Sequence, residues 1–134
     1  SHLLTDAELL QAFQQFYACT RPGGGCLISV RDYEQEDRTG IQVKPYGIRT
    51  AGQTRYVPFQ VWEFRPDGRM YDLTLYLIED RGGASCATHV MRTQYYAVEI
   101  GRLMSLLMQA GFQEVQRLDD RLFQPVILGR RPEG

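Results

Sequence analysis

The sequence predicts a mixed α/β fold in which an antiparallel β-meander is inserted between two α/β segments. Three observations predict it. Apolar residues recur at helical spacing near both ends, a short β-branched run follows the first helix, and turn sequences divide the middle into strands. We therefore describe the chain as a single unit with segments 1–33, 34–97 and 98–134.

The first segment is predicted to be a helix followed by a buried strand. Thr5 and Glu8 are spaced as a capping box, and apolar residues recur at helical spacing as far as Tyr17. Residues 21–25, Arg-Pro-Gly-Gly-Gly, end the helix. Residues 26–30 are apolar and do not alternate, which predicts a strand buried on both faces, as in a parallel sheet.

The middle segment is predicted to form antiparallel strands. After a polar loop at residues 32–40, strands are predicted at residues 42–50, 54–64, 71–79 and 86–95, separated by turn sequences. The strand at 54–64 carries large apolar side chains at both odd and even positions. We therefore expect it to be covered on both sides or to line a cavity.

The last segment is predicted to be a helix and a two-stranded hairpin. Gly111 is the expected C-terminal glycine of the helix, and Phe112 supplies the hydrophobic contact of that motif. Strands are predicted at residues 114–119 and 125–128, and their short connection predicts an antiparallel pair. The apolar stripe of the helix is formed by Ile100, Leu103, Met104, Leu107 and Met108.

Composition and charge exclude several functions. The net charge of −1 argues against binding to nucleic acid or to an anionic membrane. Cys19, Cys26 and Cys86 have neither metal-site spacing nor an even number, which predicts reduced, mostly buried thiols in a cytoplasmic protein. His2 and His89 lack a carboxylate or cysteine at ligand spacing, so no metal site is predicted.

Two groups of residues are candidates for ligand binding. Arg31 follows the carboxyl end of the buried strand, where ligands bind in open α/β sheets, and an arginine there can hold a carboxylate. The alternative is a surface pair between Arg31 and Asp32. Seven aromatic residues of the meander either pack together or line a cavity: Tyr46, Tyr56, Trp62, Tyr71, Tyr76, Tyr95 and Tyr96.

Taken together, these pieces resemble class I S-adenosylmethionine-dependent methyltransferases. The Arg-Pro-Gly-Gly of residues 21–24, between helix and strand, resembles a signature of that superfamily, and residues 110–112 resemble its closing helix end. Within it, residues 31–33, Arg-Asp-Tyr, are similar to the Arg-Asn-Tyr of glycine N-methyltransferase-like enzymes, and residues 91–96 to their last insert strand. The resemblance covers essentially all 134 residues.

The resemblance implies the C-terminal part of a Rossmann-like methyltransferase sheet, acting on a small amine or amino acid. Arg31 would bind the substrate carboxylate, and the other substrate-binding candidates are Tyr33, Tyr46, Trp62 and Tyr96. His2 would lie beside S-adenosylmethionine, whose site would fall mostly outside this chain; no metal is implied and no catalytic residue is assigned.

An incomplete sheet has consequences for assembly. The strand at 26–30 would expose an edge, so we expect a homo-oligomer, a strand-swapped dimer or a covering partner, and an inactive chain when isolated. The alternative is a non-catalytic β module that binds a small molecule or mediates dimerisation.

Overall fold

The computed structural model describes residues 1–134, and their contacts divide the chain into two units. The first unit comprises Ser1 and residues 3–37 and 97–134; the second comprises His2 and residues 38–96. Neither helix has the length and apolar character that a membrane-spanning segment requires.

The elements follow one another as helix, strand, meander, helix and hairpin. They are α1 (Asp6–Cys19), β1 (Gly25–Ser29), a 3₁₀ turn (Tyr33–Gln35), β2 (Ile41–Pro45), β3 (Arg49–Ala51), β4 (Thr54–Phe64), β5 (Met70–Asp80), β6 (Ala87–Tyr96), α2 (Ile100–Gln109), β7 (Gln113–Leu118) and β8 (Val126–Arg130). The mixed α/β class with an antiparallel insert is therefore confirmed.

The ends of both helices follow the predicted chemistry. The Thr5 hydroxyl accepts from the Glu8 amide, and the Glu8 carboxylate accepts from the Thr5 amide, which completes the capping box. Gly111 has a φ of 112°, and the Phe112 amide donates to the Leu107 carbonyl at 3.2 Å. This bond satisfies a carbonyl group at the end of α2, and the Phe112 side chain is buried.

The face that α2 buries differs slightly from the predicted stripe. Its buried residues include Leu106, whereas Met108, which was placed in the stripe, is exposed. The prediction for Met108 was wrong because the buried stripe runs through Leu103, Leu106 and Leu107, and Met108 lies beside it.

Strand β1 forms a three-stranded sheet with the order β1-β8-β7, and both pairings are antiparallel. The prediction of an exposed edge is confirmed, since β8 is the only strand paired with β1. The prediction that β1 is buried on both faces was wrong: Leu27 is 60% exposed, while Cys26 and Ile28 on the other face are partly buried.

The meander forms a five-stranded antiparallel sheet. Its main order is β2-β4-β5-β6, and β3 also pairs with β4. The predicted strand at 42–50 is in fact two strands, because the chain leaves the sheet at residues 46–48 between β2 and β3. The strand at 54–64 has the predicted bounds.

The two faces of this sheet differ in burial. Cross-strand partners share a face, and one face, the aromatic face, carries Gln60, Trp62, Phe64, Tyr71 and Tyr95. The other, the aliphatic face, carries Val43, Phe59, Val61, Tyr76 and Val90. Trp62 is 2% exposed and Val43 is 62% exposed. On β4 itself, Trp62 and Phe64 of the aromatic face are buried, whereas Val57, Phe59 and Val61 of the aliphatic face are half-buried. The prediction that β4 is covered on both sides is therefore confirmed only in part.

Candidate functional site

Arg31 lies two residues beyond the end of β1, as the sequence predicted, but its guanidinium already binds a carboxylate. Its Nη1 atom donates to Glu36 Oε1 at 3.0 Å. The side chains are 34% and 19% exposed, so the pair is partly screened from water. A 3₁₀ turn at Tyr33–Gln35 brings Glu36 back to this position.

Asp32 has a different partner. Its Oδ2 atom accepts from Arg117 Nη2 at 2.8 Å, and its Oδ1 atom accepts from the Glu34 amide as the cap of the 3₁₀ turn. Arg117 also donates to Asp119, and hydrogen bonds to Asp119 and Asp32 raise the pKa of Arg117. The Asp32 charge is thus neutralised within the first unit.

Tyr33, the third predicted residue of this segment, is buried in the first unit. It opens the 3₁₀ turn, and its carbonyl accepts from the Glu36 amide at 3.3 Å. Its proposed contact with a substrate stays a prediction, whereas its role in the turn that positions Glu36 is visible.

His2 and Tyr95 form a close pair in the second unit. The Tyr95 hydroxyl lies 2.6 Å from His2 Nε2, and the two ring centroids are 4.2 Å apart. Such a pair can share a proton, because a neutral imidazole has one donor and one acceptor nitrogen. Sequence spacing cannot reveal it, since 93 residues separate the two side chains.

The rings continue along the aromatic face from this pair. Tyr95 stacks on Tyr71 at 5.5 Å, and Tyr71 stacks on Trp62 at 4.8 Å between centroids. The sheet register explains this row, because Tyr71 is directly opposite Tyr95 on β6. The prediction that the aromatic residues of the meander pack together is confirmed for this group.

Gln60 joins two of the predicted site residues. Its Oε1 atom accepts from the Trp62 indole at 2.8 Å and from the Tyr46 hydroxyl at 3.1 Å. Lys44 Nζ lies 4.9 Å from the Trp62 ring centroid, so a cation already occupies one aromatic face. The missed signal was a single amide side chain, Gln60, between the apolar residues Phe59 and Val61 of β4.

Tyr96 does not join this row. It is the last residue of β6 and pairs with Met70, and neighbouring residues of a strand point to opposite faces. Tyr96 is buried on the face opposite Tyr95. The structure therefore brings Tyr46 and Trp62 together through Gln60 and leaves Tyr96 apart from them.

A charged cluster lies at the far end of β5. Glu79 accepts from Arg81 at 2.6 Å and lies 3.2 Å from His89 Nε2, and these two hydrogen bonds lower the pKa of Glu79. His89 thus has a carboxylate neighbour that the sequence did not predict. A cavity of about 410 Å³ adjoins Glu79, Arg81 and Cys86.

The cysteines are less buried than predicted. Cys19 and Cys86 are exposed and Cys26 is partly buried, and all three thiols are free. Burial raises the pKa of the Cys26 thiol. The prediction of mostly buried thiols was wrong because Cys19 ends α1 and Cys86 precedes β6, where little chain covers them.

One common cradle for a nucleoside cofactor is not found in this chain. Such a cradle is a glycine-rich turn that leads from a strand into a helix. The two connections from a strand to a helical segment, residues 30–32 and 97–99, contain no glycine.

Comparison of the fold with solved structures identifies its type. The chain matches DesVI of Streptomyces venezuelae over 98% of its own length and 53% of that chain, with a TM-score of 0.78 and 16% identity. It matches CalS10, an amino pentose methyltransferase of Micromonospora echinaspora, over 95% and 52%, with a TM-score of 0.77 and 15% identity. The chain has the fold of the C-terminal part of a methyltransferase.

A third structure agrees. KedS8, a sugar N-methyltransferase of a Streptoalloteichus species, matches 98% of this chain and 51% of its own, with a TM-score of 0.74 and 14% identity. The chain thus spans about half the length of these structures. No protein-family model and no curated protein matches its sequence. The comparisons support the predicted methyltransferase resemblance, and they do not support its glycine specificity.

Proposed function

We propose that this chain is the acceptor-binding part of an S-adenosylmethionine-dependent methyltransferase that acts on a small amine. One observation carries the proposal: at least 95% of the chain matches about half of an amino pentose methyltransferase and half of a sugar N-methyltransferase. The cofactor would be held mainly by a second part, since this chain lacks a glycine-rich strand-to-helix turn.

The open edge of β1 supports a second part beside the sheet. In this chain β1 pairs with β8 alone, and Leu27 is largely exposed. A further strand beside β1 would satisfy its unpaired backbone groups, and the elements that accompany that strand would cover Leu27.

The acceptor chemistry points to the pair of His2 and Tyr95. An amine is a nucleophile only when its nitrogen has lost the extra proton and presents a lone pair. The Tyr95 hydroxyl would take that proton while passing its own proton to His2 Nε2, 2.6 Å away, so that the imidazole acts as the base through the tyrosine. This role is compatible with the predicted position of His2 beside the cofactor, because methyl donor and acceptor must meet at one point.

A hydroxylated amine, such as an amino sugar, fits the aromatic face best. Tyr46, Gln60 and Trp62 form a hydrogen-bonded group there, and the hydroxyl of Tyr46, whose side chain is exposed, is the polar group of the three best placed to bond to a ligand hydroxyl. The sugar and amino pentose methyltransferases among the matched structures support the same class of acceptor. Arg31, Tyr33 and Tyr96 remain proposed substrate contacts. We also propose a cytoplasmic location, which the three free thiols support.

The aliphatic face favours a second candidate function, that of a dimerisation or ligand-binding β module. Ile41 and Val43 on β2 are exposed there, and neighbouring exposed apolar residues are typical of an interface. A second copy is the proposed occupant, because a two-fold axis would place these two side chains against those of the other copy. Such a module would fold stably and bind its ligand without S-adenosylmethionine.

The proposed function is tested by methyl transfer. Labelled methyl transfer from S-adenosylmethionine to an amino sugar, an amino acid and the sugar without its amine would be measured. The chain and the same gene product extended upstream would be compared. We expect transfer to the amino sugar by the extended protein alone. His2→Asn should lower kcat about 100-fold, as expected for loss of a general base.

The matched control is His89→Asn, since His89 also contacts a side-chain oxygen, that of Glu79, but lies near the start of β6, at the opposite end of that strand from Tyr95. It should leave kcat unchanged. Absence of transfer by the extended protein, together with ligand binding by the chain alone, would favour the β module instead.

A further inference from the structure

We propose that Glu36 determines acceptor specificity by holding the Arg31 guanidinium, so that the protein selects amines without a carboxylate. The proposal deepens the proposed function and rests on it for the nature of the acceptor. Arg31 lies just beyond the carboxyl end of β1, where an acceptor can be bound. Its Nη1 atom is 3.0 Å from Glu36 Oε1.

Local chain geometry fixes Glu36 in this position. The Gln35 amide donates to the Asp32 carbonyl and the Glu36 amide donates to the Tyr33 carbonyl, each at 3.3 Å. Tyr33 is buried and anchors the turn. The internal carboxylate is therefore tethered within five residues of the arginine, which gives it a high effective concentration at the guanidinium.

The neighbouring acidic group does not compete for this role. Asp32 binds Arg117 at 2.8 Å, and Arg117 also binds Asp119. Arg31 donates to Glu36 on the same segment. Asp32 and Glu36 thus bind different arginines.

A ligand carboxylate would have to displace Glu36 before it could bind Arg31. An unoccupied arginine binds carboxylates through two parallel hydrogen bonds. Here displacement would also separate the Glu36 charge, which is only 19% exposed, from Arg31 and leave it close to the ligand charge. An acceptor without a carboxylate avoids both costs.

The test measures carboxylate binding at Arg31 directly. Acetate and glycine would be titrated into the isotope-labelled chain at constant ionic strength, and the side-chain Nε–H signal of Arg31 would be followed by NMR. Glu36→Gln should bind acetate at least about fivefold more tightly than the unmodified chain, because the internal competitor has been neutralised. Glu36→Ala should give the same gain.

The matched control is Glu34→Gln, which removes a charge from the same turn, where Glu34 is exposed. It should bind acetate as the unmodified chain does, because Glu36 remains in place. Equal acetate affinity of the unmodified chain and both Glu36 variants, whether measurable or absent, would overturn the proposal. No S-adenosylmethionine takes part, so failure of the proposed methyl transfer would not alter this result.

Discussion

Strands β1 and β4 are both rich in apolar residues, yet the structure buries them very differently. β4 has β2 and β3 along one edge and β5 along the other, and Trp62 on its aromatic face is 2% exposed. β1 has β8 along one edge only, and Leu27 is 60% exposed. Apolar composition therefore predicts that a strand is buried, while the elements that surround the strand determine how much of it is buried.

The largest expected effect comes from truncating one apolar side chain in each strand. Trp62→Ala should lower the free energy of unfolding by about 3–5 kcal/mol, because it leaves a large cavity in a packed face. Leu27→Ala in the same chain should cost about 1 kcal/mol or less, since most of the side chain is already in water. Urea unfolding followed by circular dichroism measures both.

The comparison sharpens when Leu27→Ala is repeated in the upstream-extended protein. There its cost should rise to about 2–5 kcal/mol, as for a buried leucine, if added elements cover β1. An equal cost in both proteins would mean that Leu27 stays exposed and that no second part packs there.

A smaller effect is expected at Glu79, in the second unit. Hydrogen bonds from Arg81 and His89 lower the pKa of Glu79 below its ordinary value of 4.5. A lowered pKa in the folded state stabilises the protein above the ordinary pKa and ceases to do so as the pH falls through the folded value. The stability advantage over Glu79→Gln should therefore be present at pH 6 and shrink toward zero as the solution is acidified below about pH 4.

Urea midpoints measured across this pH range provide the check. Glu63→Gln on β4 is the control, because Glu63 is an exposed carboxylate of the same sheet. An advantage over Glu79→Gln that does not change with pH would show that the cluster does not depend on the Glu79 charge.

The sequence predicts best what local chemistry decides. The capping box at Thr5, the glycine end at Gly111 and the bounds of β4 all depend on residues a few positions apart. Residues close in sequence are enough to indicate these features. The mixed α/β class and the meander could therefore be predicted from the spacing of apolar and turn residues.

Contacts between distant residues were not predictable in the same way. The pair of His2 and Tyr95 and the hydrogen bond from Tyr46 to Gln60 each join a residue outside the strands to one in the meander, and a single sequence does not specify such contacts. The pairing of Arg31 with Glu36 depends on the 3₁₀ turn inside a segment predicted as a loop. The candidate residues were thus chosen from the sequence, and their roles stay predictions, while the contacts that they make came from the fold.

The most direct test of the proposed function is a calorimetric titration with S-adenosylmethionine. It compares this chain with the same gene product extended upstream. The account predicts no binding to the chain and micromolar-scale binding to the extended protein, because the glycine-rich turn would lie in the added part. Absence of binding to both would contradict the account and leave a methyltransferase fold without methyltransferase function.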